Sequence, residues 1–152
     1  MKMSLIIACG DSILAKVAKS RLEIMLDFYL SVSTPIQIAA AKLLSGRRSI
    51  QKQISSRIDL NSKFLEKQTA NTSNCRMLKR EGGWYSIIKI ADDLTDEDRV
   101  LKLLDYDNVL VHPGYFYDFD REGFIVLSLL SPVETFQTGV LRLIKRFCRA
   151  KR

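Results

Sequence analysis

The hydrophobic period of this chain changes near residue 75, and that change constrains the fold more than any other feature. From residue 11 to about 70 the apolar residues recur every three to four positions, as an amphipathic helix requires. Beyond residue 76, short runs alternate with a period of two or are apolar throughout, and turn residues bound them, as strands require. The pattern predicts helices first, then a sheet interleaved with further helices. The expected class is α+β: a two-layer domain whose small, mostly antiparallel sheet packs against helices.

The helical half divides at its punctuation. Asp11 or Ser12 can cap a helix carrying Ile13, Leu14, Val17, Ala18, Leu22 and Met25 and ending near Tyr29. Thr34, Pro35 and Gln37 read as a capping box with proline in the first turn, and Ser45-Gly46 stops the helix they open. A longer helix follows with Ile50, Ile54, Ile58 and Leu65 on one face, and Asn71–Asn74 breaks it.

In the second half, Arg76–Lys79 reads as a strand, and Trp84–Ile90 alternates with Tyr85, Ile87 and Lys89 on one face. Thr95 with Asp98 forms a second capping box, opening a short helix that holds Val100, Leu101 and Leu104. Asn108–His112 and Phe124–Leu130 are apolar strands. Ser131 with Glu134 is a third capping box, before a final helix striped by Phe136, Val140, Leu143, Ile144 and Phe147.

Composition excludes several classes. With 152 residues, 47% hydrophobic and 27% charged, the chain is neither disordered nor a disulfide scaffold, and it has no run of the ~18–20 apolar residues a membrane span needs. The first residues imitate a lipoprotein signal, but Met3–Ala8 is shorter than the apolar region such signals carry, so Ser4–Cys9 reads as a short buried strand ended by Gly10. The net charge of +7 is uneven. Asp92, Asp93, Asp96, Glu97, Asp98, Asp105 and Asp107 form an acidic block that reads as a solvent face. Arg142 to Arg152 form a basic end, a weaker pointer to nucleic acid. Cys9, Cys75 and Cys148 are odd in number and widely spaced, which fits neither a disulfide framework nor a zinc site; incidental thiols in a reduced cytoplasmic protein are the expectation.

Local chemistry is sparse. There is one histidine, His112, with no metal-ligand cluster, nucleophile motif or phosphate loop. Two segments stand out: Gly82-Gly83-Trp84-Tyr85, where two glycines permit close backbone approach beside two rings, and the aromatic connection Val111–Phe119 around Pro113-Gly114.

Those segments carry a resemblance. GGWYSIIKI (82–90), VLVHPGYFYDF (109–119) and FIVLSLLSPVETFQTGVLRL (124–143), in this order, resemble the C-terminal, small domain of aminotransferases that use pyridoxal phosphate (PLP), of the aspartate/alanine aminotransferase superfamily. LEIMLDFYLSVSTPIQIAAAKLL (22–44) resembles the entry to that domain, and SLIIACG (4–10) the last strand shared with the large domain. The resemblance implies that residues 1–10 are the remnant strand of a missing large domain and residues 11–152 the small domain.

It also implies site residues. Gly83 and Trp84 match the edge that faces the substrate, and Pro113, Gly114 and Tyr115 the loop that helps close over it. Ser31 and Ser33 match a turn that approaches the active site, often across a dimer interface. No catalytic, cofactor-binding or metal-binding residue is carried over. The family's cofactor lysine lies upstream of the strand that SLIIACG resembles, so no bound PLP is expected on this chain. Val126 sits where an arginine normally grips the substrate carboxylate, which valine cannot do. Arg121 is near in sequence, but it lies in a turn, where charges face solvent. His112 reads as a hydrogen-bonded residue at a strand end.

The resemblance therefore implies a C-terminal piece of an aminotransferase, an expressed fragment or a truncated reading frame, inactive alone. Its partners would be the missing large domain, a second copy, and an amino acid or 2-oxo acid substrate. A non-catalytic interaction module derived from the same domain is the alternative, with a basic nucleic-acid-binding domain as a third.

Overall fold

The computed structural model describes residues 3–150. The chain divides into two compact units between Ser49 and Ile50. The first holds α1 (Ser12–Leu26) and α2 (Thr34–Ser45); α3 (Arg47–Ala70) begins just before the division.

In the first unit Asp11 caps α1 as its side chain allows, accepting from the Ile13 and Leu14 amides at 2.9 and 3.3 Å. The box expected at Thr34 is not formed. Ser33 is the N-cap, without a side-chain bond, and Gln37 Nε2 donates instead to the Val32 carbonyl at 2.6 Å. Pro35 explains the start: its fixed φ suits the first turn. Neither α1 nor α2 has a buried residue. The strand expected at Ser4–Cys9 is absent, and Leu5, Ile6 and Ile7 are 64%, 63% and 84% exposed. An apolar run becomes a buried strand only beside another strand, and the described residues of this unit contain none.

The second unit is the α+β body. Its sheet has strands β1 (Cys75–Met77), β2 (Tyr85–Ile90), β3 (His112–Pro113) and β4 (Phe124–Ser128), in the order β1-β2-β4-β3 with every pairing antiparallel. The alternation read from sequence holds in β2, where Ser86, Ile88 and Ile90 are buried and Tyr85, Ile87 and Lys89 are not. Ile88, Ile90, Ile125 and Leu127 form one side of the core. Ile58 and Leu65 of α3, Leu103 of α4 (Asp96–Asp107), and Phe136, Val140 and Leu143 of α5 (Val133–Phe147) form the other. Each such side chain contributes about 1.5–3 kcal/mol by leaving water.

The capping pattern holds at α4, where Thr95 Oγ1 accepts from the Asp98 amide at 3.1 Å. It fails at α5, whose N-cap is Pro132. The turn before α5 is held from α3 instead, by Asn61 Nδ2, which donates to the carbonyls of Leu129 and Ser131 at 3.0 and 2.9 Å.

Cys75 and Cys148 are not incidental thiols but a disulfide, with Cα atoms 5.6 Å apart; Cys9 is free and exposed. A sequence separation of 73 concealed the pair, because only the fold brings the end of α5 to the start of β1. Among the described residues no helix is long and apolar enough to cross a membrane, and no group of three or more acidic, histidine or cysteine side chains could hold a metal ion.

Candidate functional site

The face of the sheet turned away from the core carries only some of the residues singled out by sequence, Tyr85, His112 and Val126 among them, whereas Pro113 pairs with the core residue Ile125 and shares its face. Directly paired residues share a face, so the pairs Tyr85–Ser128, Ile87–Val126 and Lys89–Phe124 place Val126 between Ile87 and, on its other side, His112. Val126 and Phe124 are buried although they lie outside the main core. The connection after β3 supplies a second layer here: Phe119 stacks on Phe124 at 4.6 Å between ring centroids, and Tyr117 meets Tyr85 edge-on at 5.6 Å.

His112 Nδ1 lies 2.9 Å from the Tyr117 hydroxyl, a hydrogen bond at the strand end. The Tyr117 phenol is pushed above its ordinary range, first by burial and then by the neighbouring Tyr85 phenol. Phe116 is 6.0 Å from the His112 ring, and Tyr115 meets Phe116 edge-on at 5.0 Å. With Trp84 6.4 Å from Tyr85, six rings run in a chain of contacts from Trp84 to Tyr115.

The register spreads the five expected site residues along the sheet: Trp84 precedes Tyr85, which pairs with Ser128 at the end of β4, whereas Pro113 pairs with Ile125 near its start and Gly114 lies against Phe124. Trp84 and Tyr115 are each 49% exposed, and Gly83 is exposed in the left-handed region with φ +70°. Pro113 and Gly114 are buried and shape the turn that presents Tyr115. The expectation that the strands of Trp84 and Pro113 are antiparallel neighbours fails: β4 runs between them and is antiparallel to both, so they run parallel about 10 Å apart, and the start of one does not lie beside the end of the other. Trp84 is fixed by its backbone, its carbonyl accepting from the Leu129 amide at 2.8 Å. Ser31 and Ser33 belong to the other unit. Arg121 is exposed and pairs with its neighbour Asp120.

The acidic block is not simply a solvent face. Asp96 is 1% exposed and Arg99 is 0%. Asp96 Oδ1 accepts from the amides of Gly123 and Phe124 at 2.8 and 2.9 Å and from the Arg99 guanidinium at 2.8 Å, while Oδ2 accepts from the Gly114 amide at 3.1 Å. Asp92 takes the second nitrogen of Arg99 at 2.5 Å, and Glu122 accepts from the Asp96 amide at 2.5 Å. A buried carboxylate is tolerated when its lone pairs and charge are met this fully. The hub ties the start of α4 to both ends of the aromatic connection. A Cβ on Gly114 would lie 2.8 Å from both Asp96 Oδ2 and Phe124 Cβ, so only glycine fits there.

No protein-family model matches the sequence, and no curated protein does. Solved structures do. A PLP-dependent aminotransferase from Streptococcus suis 89-1591 superposes with TM-score 0.71 at 20% identity, over 93% of this chain and 37% of that one. The chain has the fold of part of a PLP-dependent aminotransferase. Aspartate aminotransferase from Thermotoga maritima shares that aminotransferase fold with TM-score 0.67 at 23% identity, over 86% of this chain and 33% of its own. For aromatic aminotransferase from Pyrococcus horikoshii OT3 the values are 0.63 and 26%, over 72% and 30%. The chain thus spans about a third of the length of the aminotransferases it matches.

The cluster of rings does not by itself fit pyridoxal phosphate, the cofactor of the Streptococcus suis enzyme. Lys89 lies over the Phe124 ring at 5.7 Å, and Lys79 pairs with Glu81 at 3.1 Å. Neither is a buried, unpaired lysine that could hold pyridoxal phosphate covalently.

Proposed function

We propose that this chain supplies the substrate-closing small domain of a PLP-dependent aminotransferase, an enzyme that moves an amino group between an amino acid and a 2-oxo acid, and that it is inactive alone. The observation that carries the reading is the asymmetry of the structural match: 93% of this chain against 37% of the Streptococcus suis enzyme. The exposed apolar surface of α1, α2 and residues 5–7 supports it, since monomeric proteins rarely leave so much uncovered. The remainder of the enzyme covers that surface, and a second copy completes the assembly, in the cytoplasm.

On this reading the aromatic cluster from Trp84 to Tyr115, with Gly83, Pro113 and Gly114 shaping its turns, faces the substrate. Val126 stands between Ile87 and His112 with no guanidinium in its row, so another group meets the substrate carboxylate.

Two measurements test the proposal. The chain mixed with pyridoxal phosphate, an amino acid and a 2-oxo acid should show neither Schiff-base absorbance nor turnover. A borohydride-reducible adduct at one specific lysine, with turnover, would overturn it. The second is the coding sequence upstream of Met1. An in-frame lysine-bearing strand and loop supports an enzyme part, whereas an in-frame stop supports a free-standing interaction module.

A further inference from the structure

We propose that Cys75 and Cys148 form a redox-operated clasp that fastens the segment after α5, residues 148–150, beside the open edge of the sheet. This inference is independent of the aminotransferase reading. β1, which begins at Cys75, is the outermost strand on its side of the sheet. After α5 the backbone turns extended at Cys148, and Ala150 bridges antiparallel to Thr72. The Ser73 amide donates to the Arg149 carbonyl at 2.8 Å, and the Arg149 amide donates to Asn74 Oδ1 at 2.7 Å. Asn74 Nδ2 donates to the Phe147 carbonyl at 2.9 Å. The disulfide closes this ribbon covalently.

The rest of the unit has supports of its own. α5 is held by Phe136, Val140 and Leu143 in the core, and β1 by its pairing with β2. Exposed hydrogen bonds such as those at Ser73 and Arg149 compete with water and open readily, so the covalent bond decides whether residues 148–150 stay docked. Cys75 is buried and Cys148, at the rim of the core, is only half-buried, so the bond opens from the Cys148 side. A small thiol such as glutathione attacks Cys148 Sγ as its thiolate. The S–S bond breaks, and the Cys75 sulfur leaves with the electron pair and takes a proton. A second thiol then displaces the first from Cys148. The protein gains two electrons and two protons, and two thiols become one disulfide. Glutathione disulfide reverses the sequence.

The test uses the 152-residue chain equilibrated with glutathione or with glutathione disulfide. Peptide mapping without reductant should find the Cys75–Cys148 cross-link only in the oxidised sample. Reduction should raise the rate of tryptic cleavage after Arg149 about tenfold while circular dichroism stays unchanged. Cys148→Ser should cleave at the reduced rate in both buffers. Absence of the cross-link under glutathione disulfide, or equal cleavage in both states, would overturn the clasp. Loss of sheet signal on reduction would also overturn it, since the bond would then be a structural staple.

Discussion

Asp96 Oδ2 accepts the backbone amide of Gly114 at 3.1 Å, across eighteen residues of chain, and that bond sets the aromatic turn on the sheet. The same carboxylate neutralises Arg99, which is fully buried. Removing one partner of a buried pair leaves the other charge uncompensated, at about 3–5 kcal/mol. Asp96→Ala is therefore expected to lose about 3 kcal/mol, the low end of that range, because Asp92 still meets Arg99. Urea denaturation measures it; a loss below about 1 kcal/mol would show that the hub contributes little.

Gly114→Ala tests the same junction from the other side. The added methyl meets Asp96 Oδ2 and Phe124 Cβ, both at 2.8 Å, and neither belongs to a flexible side-chain end. Overpacking of this kind costs about 1–3 kcal/mol. Gly82→Ala, where nothing lies within 4 Å of the new carbon, is the control and is expected to be nearly neutral.

These contacts mark the limit of what the sequence alone conveys. The period-two run over Trp84–Ile90 gave both the strand and its faces, because alternation is a direct image of the pleat. The stripe on α5 did the same for a helix: Phe136, Val140 and Leu143 are in the core. Asp96 was illegible because a carboxylate in a first helical turn is ordinarily solvated. Its burial depends on amides 18, 27 and 28 residues away. Cys75 and Cys148 were illegible for the same reason, and their pairing needed the tertiary fold. Ser4–Cys9 failed in the opposite sense: its pattern is strand-like, but a strand is a property of two segments. The candidate site was half legible. The rings were visible as a cluster, whereas the intervening β4 and the His112–Tyr117 bond were not.

Trp84→Ala is expected to change self-association more than stability. The ring is 49% exposed, and the backbone bond from Leu129 survives the substitution. A half-exposed side chain leaves little burial to lose, about 1 kcal/mol or less. What the variant removes is one end of an exposed aromatic surface, the kind that seeks a partner. Sedimentation velocity at several concentrations should show weaker association for the variant, with an almost unchanged denaturation midpoint. Equal association, or a loss above about 2 kcal/mol, would make Trp84 a core residue in effect.

The last expectation concerns acid. Asp107 ends α4 and meets the Arg146 guanidinium of α5 through both its oxygens, while Arg142 donates to the Asp107 carbonyl at 2.7 Å. The hydrogen bond from Arg146 holds the Asp107 carboxyl below its ordinary range, with the charges of Arg146, Arg142 and Lys145 adding to it; the same bond raises Arg146. A carboxylate depressed in the folded state adds stability that is fully present above its unfolded value of about 3.9 and is lost as pH falls through the lower folded value. Arg146 stays charged throughout this window. The tie between α4 and α5 is therefore expected to weaken only below about pH 4. Asp107→Asn should destabilise the chain at pH 7 but much less at pH 3. Thermal melts of both proteins across that range decide it: a difference that does not shrink toward acid would show that the carboxylate charge is not what joins the two helices.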